Sequence, residues 1–221
     1  MTTPLSQMPK PGAEQYQDAR KLFMVPAIVF PPEASEEAQR LQESYWSEVR
    51  EHVNKLERSM GQVTHIYHET VFADGDEGMT LLQSLNPMGG PFIQAMCQSS
   101  AKLEATEDRA LVEESSDWQR CLSIGLMSEK VRTLALDSFQ EITANRYKHV
   151  SKTIDETLKE GEVGALFAGE EHRIQFPSDI QVFYVAPPSL DALKRWINDQ
   201  MRAPAPPSEP TEPPEQSESA G

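Results

Sequence analysis

Two histidines and a glutamate fall together in His65-Ile66-Tyr67-His68-Glu69. Imidazole and carboxylate groups ligate metals and move protons near neutral pH. The spacing differs from the zinc-binding H-E-x-x-H helix, whose histidines lie four apart. Here they are three apart within a β-rich run, residues 63–72. Side chains alternate along a strand, so His65 and Glu69 share one face and His68 points to the other. A metal or acid–base centre would need a further group from elsewhere, and His149, His172 and Asp179 are the candidates. A small cytoplasmic hydrolase or metal-dependent enzyme using His65, His68, Glu69, His172 and Asp179 is one expectation. The simpler account gives these residues structural or surface roles, with no cofactor and no resident metal.

Other chemistry-bearing residues carry weaker patterns. Glu104, Glu107, Asp108, Glu113, Glu114 and Asp117 form an acidic stretch without calcium-loop spacing, read as a solvated acidic face. Cys97 and Cys121 are far apart and lack an adjacent activating base, so both read as small buried apolar residues. Gly89-Gly90 precedes a helix but lacks the Lys-Ser/Thr of a phosphate loop, so it reads as a connector. Glu170, Glu171, His172 and Arg173 flank a strand end, where α/β proteins place ligands.

The elements that would position these residues follow from periodicity. Residues 22–30 form an apolar run that Pro26 demotes to an edge strand or two short pieces. Residues 33–60 repeat apolar side chains at spacings of three and four, Ala38 to Met60, and read as a long helix ending at Gly61. Residues 63–72 read as a strand, 74–78 as a turn, and 79–85 and 92–102 as helices, with 105–119 left open between helix and strand. From Ser128 the helical period runs to Gly161, with a break expected near Asn145. Residues 163–168, 173–176 and 180–186 read as strands, and 190–200 as a last helix. Strands alternating with helices define an α/β fold. Its core is expected to be a single sheet of four to five strands in mixed order, with helices on its faces in an α/β/α sandwich.

The chain has 221 residues, of which 38% are hydrophobic and 25% charged, which suffices for one core. Its net charge of −15 disfavours direct nucleic-acid binding. No apolar run is long enough to span a membrane, and the first residues carry no secretory pattern, so a cytoplasmic protein is expected. Residues 1–20 are expected to be a flexible segment and 21–200 a single domain. Residues 201–221, rich in Pro, Glu and Ser, are expected to be a disordered acidic tail.

One segment carries a family cadence. A helix ends in Ile154-Asp-Glu-Thr-Leu158-Lys-Glu-Gly161-Glu162-Val163, and a strand, Gly164-Ala-Leu-Phe-Ala168, follows at once. This resembles the third domain of archaeal and eukaryotic class-I peptide-chain release factors and of pelota. There a helix ends in an A-L-x-x-G-A-V turn before an x-L-L-I-S strand. The resemblance spans about residues 127–186 and extends to bacterial proteins described as release-factor-like. It implies a ribosomal-protein-L7Ae-type sandwich that serves as an interaction platform for a translational GTPase. Catalysis in that family belongs to a separate Gly-Gly-Gln domain. Here Pro91 follows Gly89-Gly90, so peptidyl-tRNA hydrolysis is not implied, and the decoding domain has no counterpart. The leading expectation is therefore a non-enzymatic protein-interaction module near translation or ribosome quality control. Its partner would be a protein, such as a translational GTPase or the ribosome. A homo-oligomer built on helix 33–60 is the third expectation.

Overall fold

The computed structural model describes Tyr16 and residues 18–30 and 34–202. Most of the expected flexible segment, and all but the start of the expected disordered tail, lie outside the described residues.

Strand β1 (Arg20–Pro26) is buried along nearly its whole length. Helix α1 (Glu36–Met60) follows, with Ser35 Oγ accepting the Ala38 N–H at its start. Then come β2 (His65–His68), α2 (Gly75–Leu85), α3 (Gly90–Ser99) and β3 (Lys102–Leu103). The chain continues through α4 (Arg109–Ser123), α5 (Glu129–Thr157), β4 (Val163–Ala168), β5 (Ile180–Tyr184) and α6 (Pro188–Arg202).

The five strands form one sheet in the order β3-β2-β4-β1-β5. Every pairing is parallel, where a mixed sheet was expected. The helix-free segment 169–179 accounts for part of the difference. Its Ile174 and Phe176 pack into the core beneath α5, so it crosses a sheet face instead of turning back as a hairpin. Residues 173–176 accordingly form no strand. The outcome is an α/β/α sandwich. Phe23 and Val25 of β1 face a core closed by α1, α2, α3 and α6, while Leu22 and Met24 face α5.

Pro26 does not make β1 an edge strand, because β1 pairs on both sides. The proline is the last strand residue, and Ala27 N–H resumes bonding to Ala168 O at 2.8 Å. The Pro26 carbonyl accepts the buried Tyr45 hydroxyl at 2.6 Å.

Strand β2 stops at His68 because the chain turns at Thr70, whose φ is 72°. Helix α2 begins at Gly75, within the stretch expected to be a turn. The open segment is helical: Asp108 Oδ1 accepts Leu111 N–H and starts α4. No break occurs at Asn145. Helix α5 runs for 29 residues, about 43 Å, roughly twice the length of β4. Its last turns bury Val150 and Ile154 against the sheet, while its first turns lie beside α4 as one limb of a helical hairpin.

Candidate functional site

Neighbouring strands β2 and β4 send their chains to opposite faces of the sheet. After β2 the chain enters α2 on the α1 side, and after β4 it enters 169–179 on the α5 side. Diverging exits open a crevice at the carboxyl ends of parallel strands, where this class of fold binds ligands. Glu69 leaves β2 and Gly169 leaves β4 at that point. Glu69 Oε2 accepts the Gly169 N–H at 2.7 Å and fixes the crevice floor.

Beneath Glu69 lies a buried ion pair. Arg146 of α5 donates from Nε and Nη2 to the two oxygens of Glu107, at 3.0 and 2.5 Å. Its Nη1 donates to Ser115 Oγ on α4 at 3.3 Å. Glu107 Oε1 also accepts the Thr70 N–H at 3.1 Å, holding the strained residue beside Glu69. Glu69 Oε1 is 3.9 Å from Arg146 Nη2. Burial opposes the Arg146 charge, but the Glu107 bonds outweigh it and raise the pKa. Burial raises the neighbouring Tyr147 phenol, helped by the Glu69 charge.

The two histidines of the motif point to opposite faces, as alternation requires. His68 is 4% exposed and stacks on Phe167. Its Nδ1–H donates to the Glu69 carbonyl at 2.6 Å, and Nε2 faces the Asn86 amide at 3.5 Å. Burial pushes its pKa down to about 4, so the ring is neutral at physiological pH and sealed from solvent. Asn86 in turn accepts the Gly89 N–H at 2.9 Å, so His68 braces the α2–α3 connector. Gly89 is required there, because a Cβ would lie 2.5 Å from the Trp46 ring.

His65 lies at the amino end of β2. One ring nitrogen is 2.9 Å from Glu104 Oε1 and the other 3.1 Å from Glu162 Oε2. Lys102 Nζ completes the cluster at 2.7 Å from Glu104. Asp179 is also at the amino edge, where it shares Arg20 with Asp155, at 2.7 and 2.8 Å. His172 belongs to the carboxyl edge. Its Nδ1 accepts the Ile174 N–H at 3.2 Å, and burial lowers its pKa against the pull of Glu69. His149 sits on α5. The proposed constellation is thus divided, with His68, Glu69 and His172 at one edge of the sheet and His65 and Asp179 at the other.

The crevice offers a carboxylate, Glu69, and an imidazole, His172, above an ion pair. Among the described residues, no serine, threonine or cysteine side chain is hydrogen-bonded to the His68 or His172 ring. No group of three or more metal-ligating side chains occurs among them either. Cys97 is half-buried, which raises its thiol, and Cys121 is exposed, unlike the buried role expected of it.

Glu104 and Glu107 are not part of a solvated acidic face; they are 5% and 4% exposed, and each is ion-paired, Glu104 with Lys102 and Glu107 with Arg146 of α5. Sequence reasoning missed Glu107 and Arg146. The signal was present: Arg146 interrupts the buried stripe Ile142-x-x-x-Arg146-x-x-x-Val150, and a charge there requires a partner.

A second surface stands out on the hairpin. Ile124 and Met127, in the α4–α5 loop, are 73% and 101% exposed. Val131, Leu134 and Leu136 on the first turns of α5 are exposed as well. Among the described residues, the remaining exposed large apolar side chains, Val29, Val182 and Tyr184, lie elsewhere.

The fold and its surfaces define the class as a parallel α/β sandwich bearing a helical-hairpin arm. Comparison with protein-family models, curated proteins and solved structures gives no match to this chain.

Proposed function

We propose that this chain is a non-enzymatic protein-interaction module that docks through the tip of its α4–α5 hairpin. The carrying observation is the concentration of exposed apolar side chains between Ile124 and Leu136, on a hairpin whose helix α5 is about twice as long as strand β4. A patch of this kind is costly to leave in water and marks a binding surface. The long helix α1 offers no comparable stripe: its Ala38, Tyr45, Trp46, Val49 and Val53 are absorbed by the chain's own core. The divided histidines favour a binding role over hydrolysis. The narrower reading, from the release-factor resemblance, places the partner in translation, as a translational GTPase or the ribosome.

The test compares the tagged full chain with its Ile124→Ser/Met127→Ser/Leu134→Ser variant in pull-downs from host lysate at physiological salt. The reading expects a defined protein set recovered by the wild type and lost by the variant. Ribosomal proteins or a translational GTPase in that set would support the narrower context. Identical recoveries from both proteins would overturn docking through the tip.

A further inference from the structure

A groove of about 920 Å³ runs between α5 and the segment 171–177. Its apolar wall is made by Phe139, Tyr147 and Pro177, and its cationic side by Lys148, Lys152 and Arg173. Ser151 Oγ donates to Gln175 O at 2.5 Å and ties the two walls together. The acidic residues at the groove are Glu171 and Asp155, which shares the Arg20 guanidinium with Asp179. Among the described residues, Lys148 and Arg173 form no ion pair, and Lys152 is 3.7 Å from Glu156, one turn away. An aromatic wall with a cationic side suits an extended peptide that carries prolines and carboxylates.

The chain supplies such a peptide. Residues 203–221 carry Pro204, Pro206, Pro207, Pro210, Pro213 and Pro214, with Glu209, Glu212, Glu215 and Glu218 among them. They hold no aliphatic side chain larger than alanine. The segment follows α6, which packs on the face of the sheet opposite α5. Lys194 of α6 is ion-paired with Glu170, the neighbour of groove residue Glu171. From Lys194 to the end of α6 is about 12 Å. The 19 residues beyond span about 59 Å when extended as polyproline helix, more than enough to reach and follow the groove.

We propose that residues 203–221 dock in cis in the α5 groove, with the prolines on Phe139 and Tyr147 and the glutamates on Lys148, Lys152 and Arg173. The groove is thereby occupied until an acidic, proline-containing segment of another protein displaces the chain's own. This inference is independent of the hairpin tip.

The test is zero-length carbodiimide cross-linking of the full chain at micromolar concentration, with products mapped by mass spectrometry. The expected result is amide links from Lys148 or Lys152 to the glutamates of 203–221, in the monomer band, enriched several-fold over links to Lys55 and Lys130, and suppressed in 1 M salt. Links spread over all exposed lysines, or no links to these glutamates, would overturn the proposal. Links confined to covalent dimers would assign the groove to a second copy's segment and overturn docking in cis.

Discussion

The Arg146 guanidinium grips both carboxylate oxygens of Glu107, whose side chain is 1% exposed, and so joins α5 to the segment after β3. Because Glu107 also holds Thr70, this one pair fixes the height of Glu69 above the crevice.

Arg146→Met strands the Glu107 charge in the interior and is expected to cost about 3–5 kcal/mol of unfolding free energy. Adding Glu107→Gln should recover a large part of that loss. Urea denaturation of the two variants and the wild type checks both; equal losses in single and double variants would show that the pair is not the unit.

His68 makes stability depend on pH. Its folded pKa lies near 4 and its ordinary value is 6.5, so between those values the unfolded chain binds a proton that the folded chain refuses. Stability therefore falls as pH drops through this window, by about 3 kcal/mol over its full width. His68→Gln is expected to be less stable at pH 7 and to lose this component of the slope, measured by denaturant titrations from pH 4 to 7.

Thr70 is the only non-glycine with positive φ among the described residues, and its β-branched side chain is strained there. Thr70→Gly should stabilise the protein by about 1 kcal/mol, against the loss usual for glycine substitution. A lowered melting temperature would count against strain.

The two ends of the hairpin should respond differently. Ile124→Ser with Met127→Ser is expected to change stability by less than about 0.5 kcal/mol. Ile142→Ala, at a buried site on α5, should cost about 2–5 kcal/mol. Thermal melts of both variants separate an exposed tip from a packed stem.

Periodicity revealed most of the secondary elements. The stripe from Ala38 to Met60 became α1, and β4 matches the apolar run 163–168 residue for residue. Failures came where a long-range partner decided the outcome. Pro26 looked like an edge signal, yet Ala27 and Tyr45 take over the bonding around it. The outer turns of α5 carry the same apolar period as the inner ones, but the sheet ends before it reaches them, so Val131 and Leu134 remain bare. The site was half legible. His68 and Glu69 were visible as a motif, whereas Glu107 looked like one acid among many until Arg146 closed on it.

The position of β1 bears on how the chain is made. It is made before the other strands of the sheet, yet among the described residues its strand partners are β4 and β5, the last two strands in chain order. Until those strands arrive, Leu22, Phe23, Met24 and Val25 have two open edges and no permanent neighbour. Such late, non-local closure slows folding and leaves nascent strands open to association with other chains. A product that stops short of β4 would keep those edges indefinitely, so a broken message would yield a sticky fragment in place of a smaller fold.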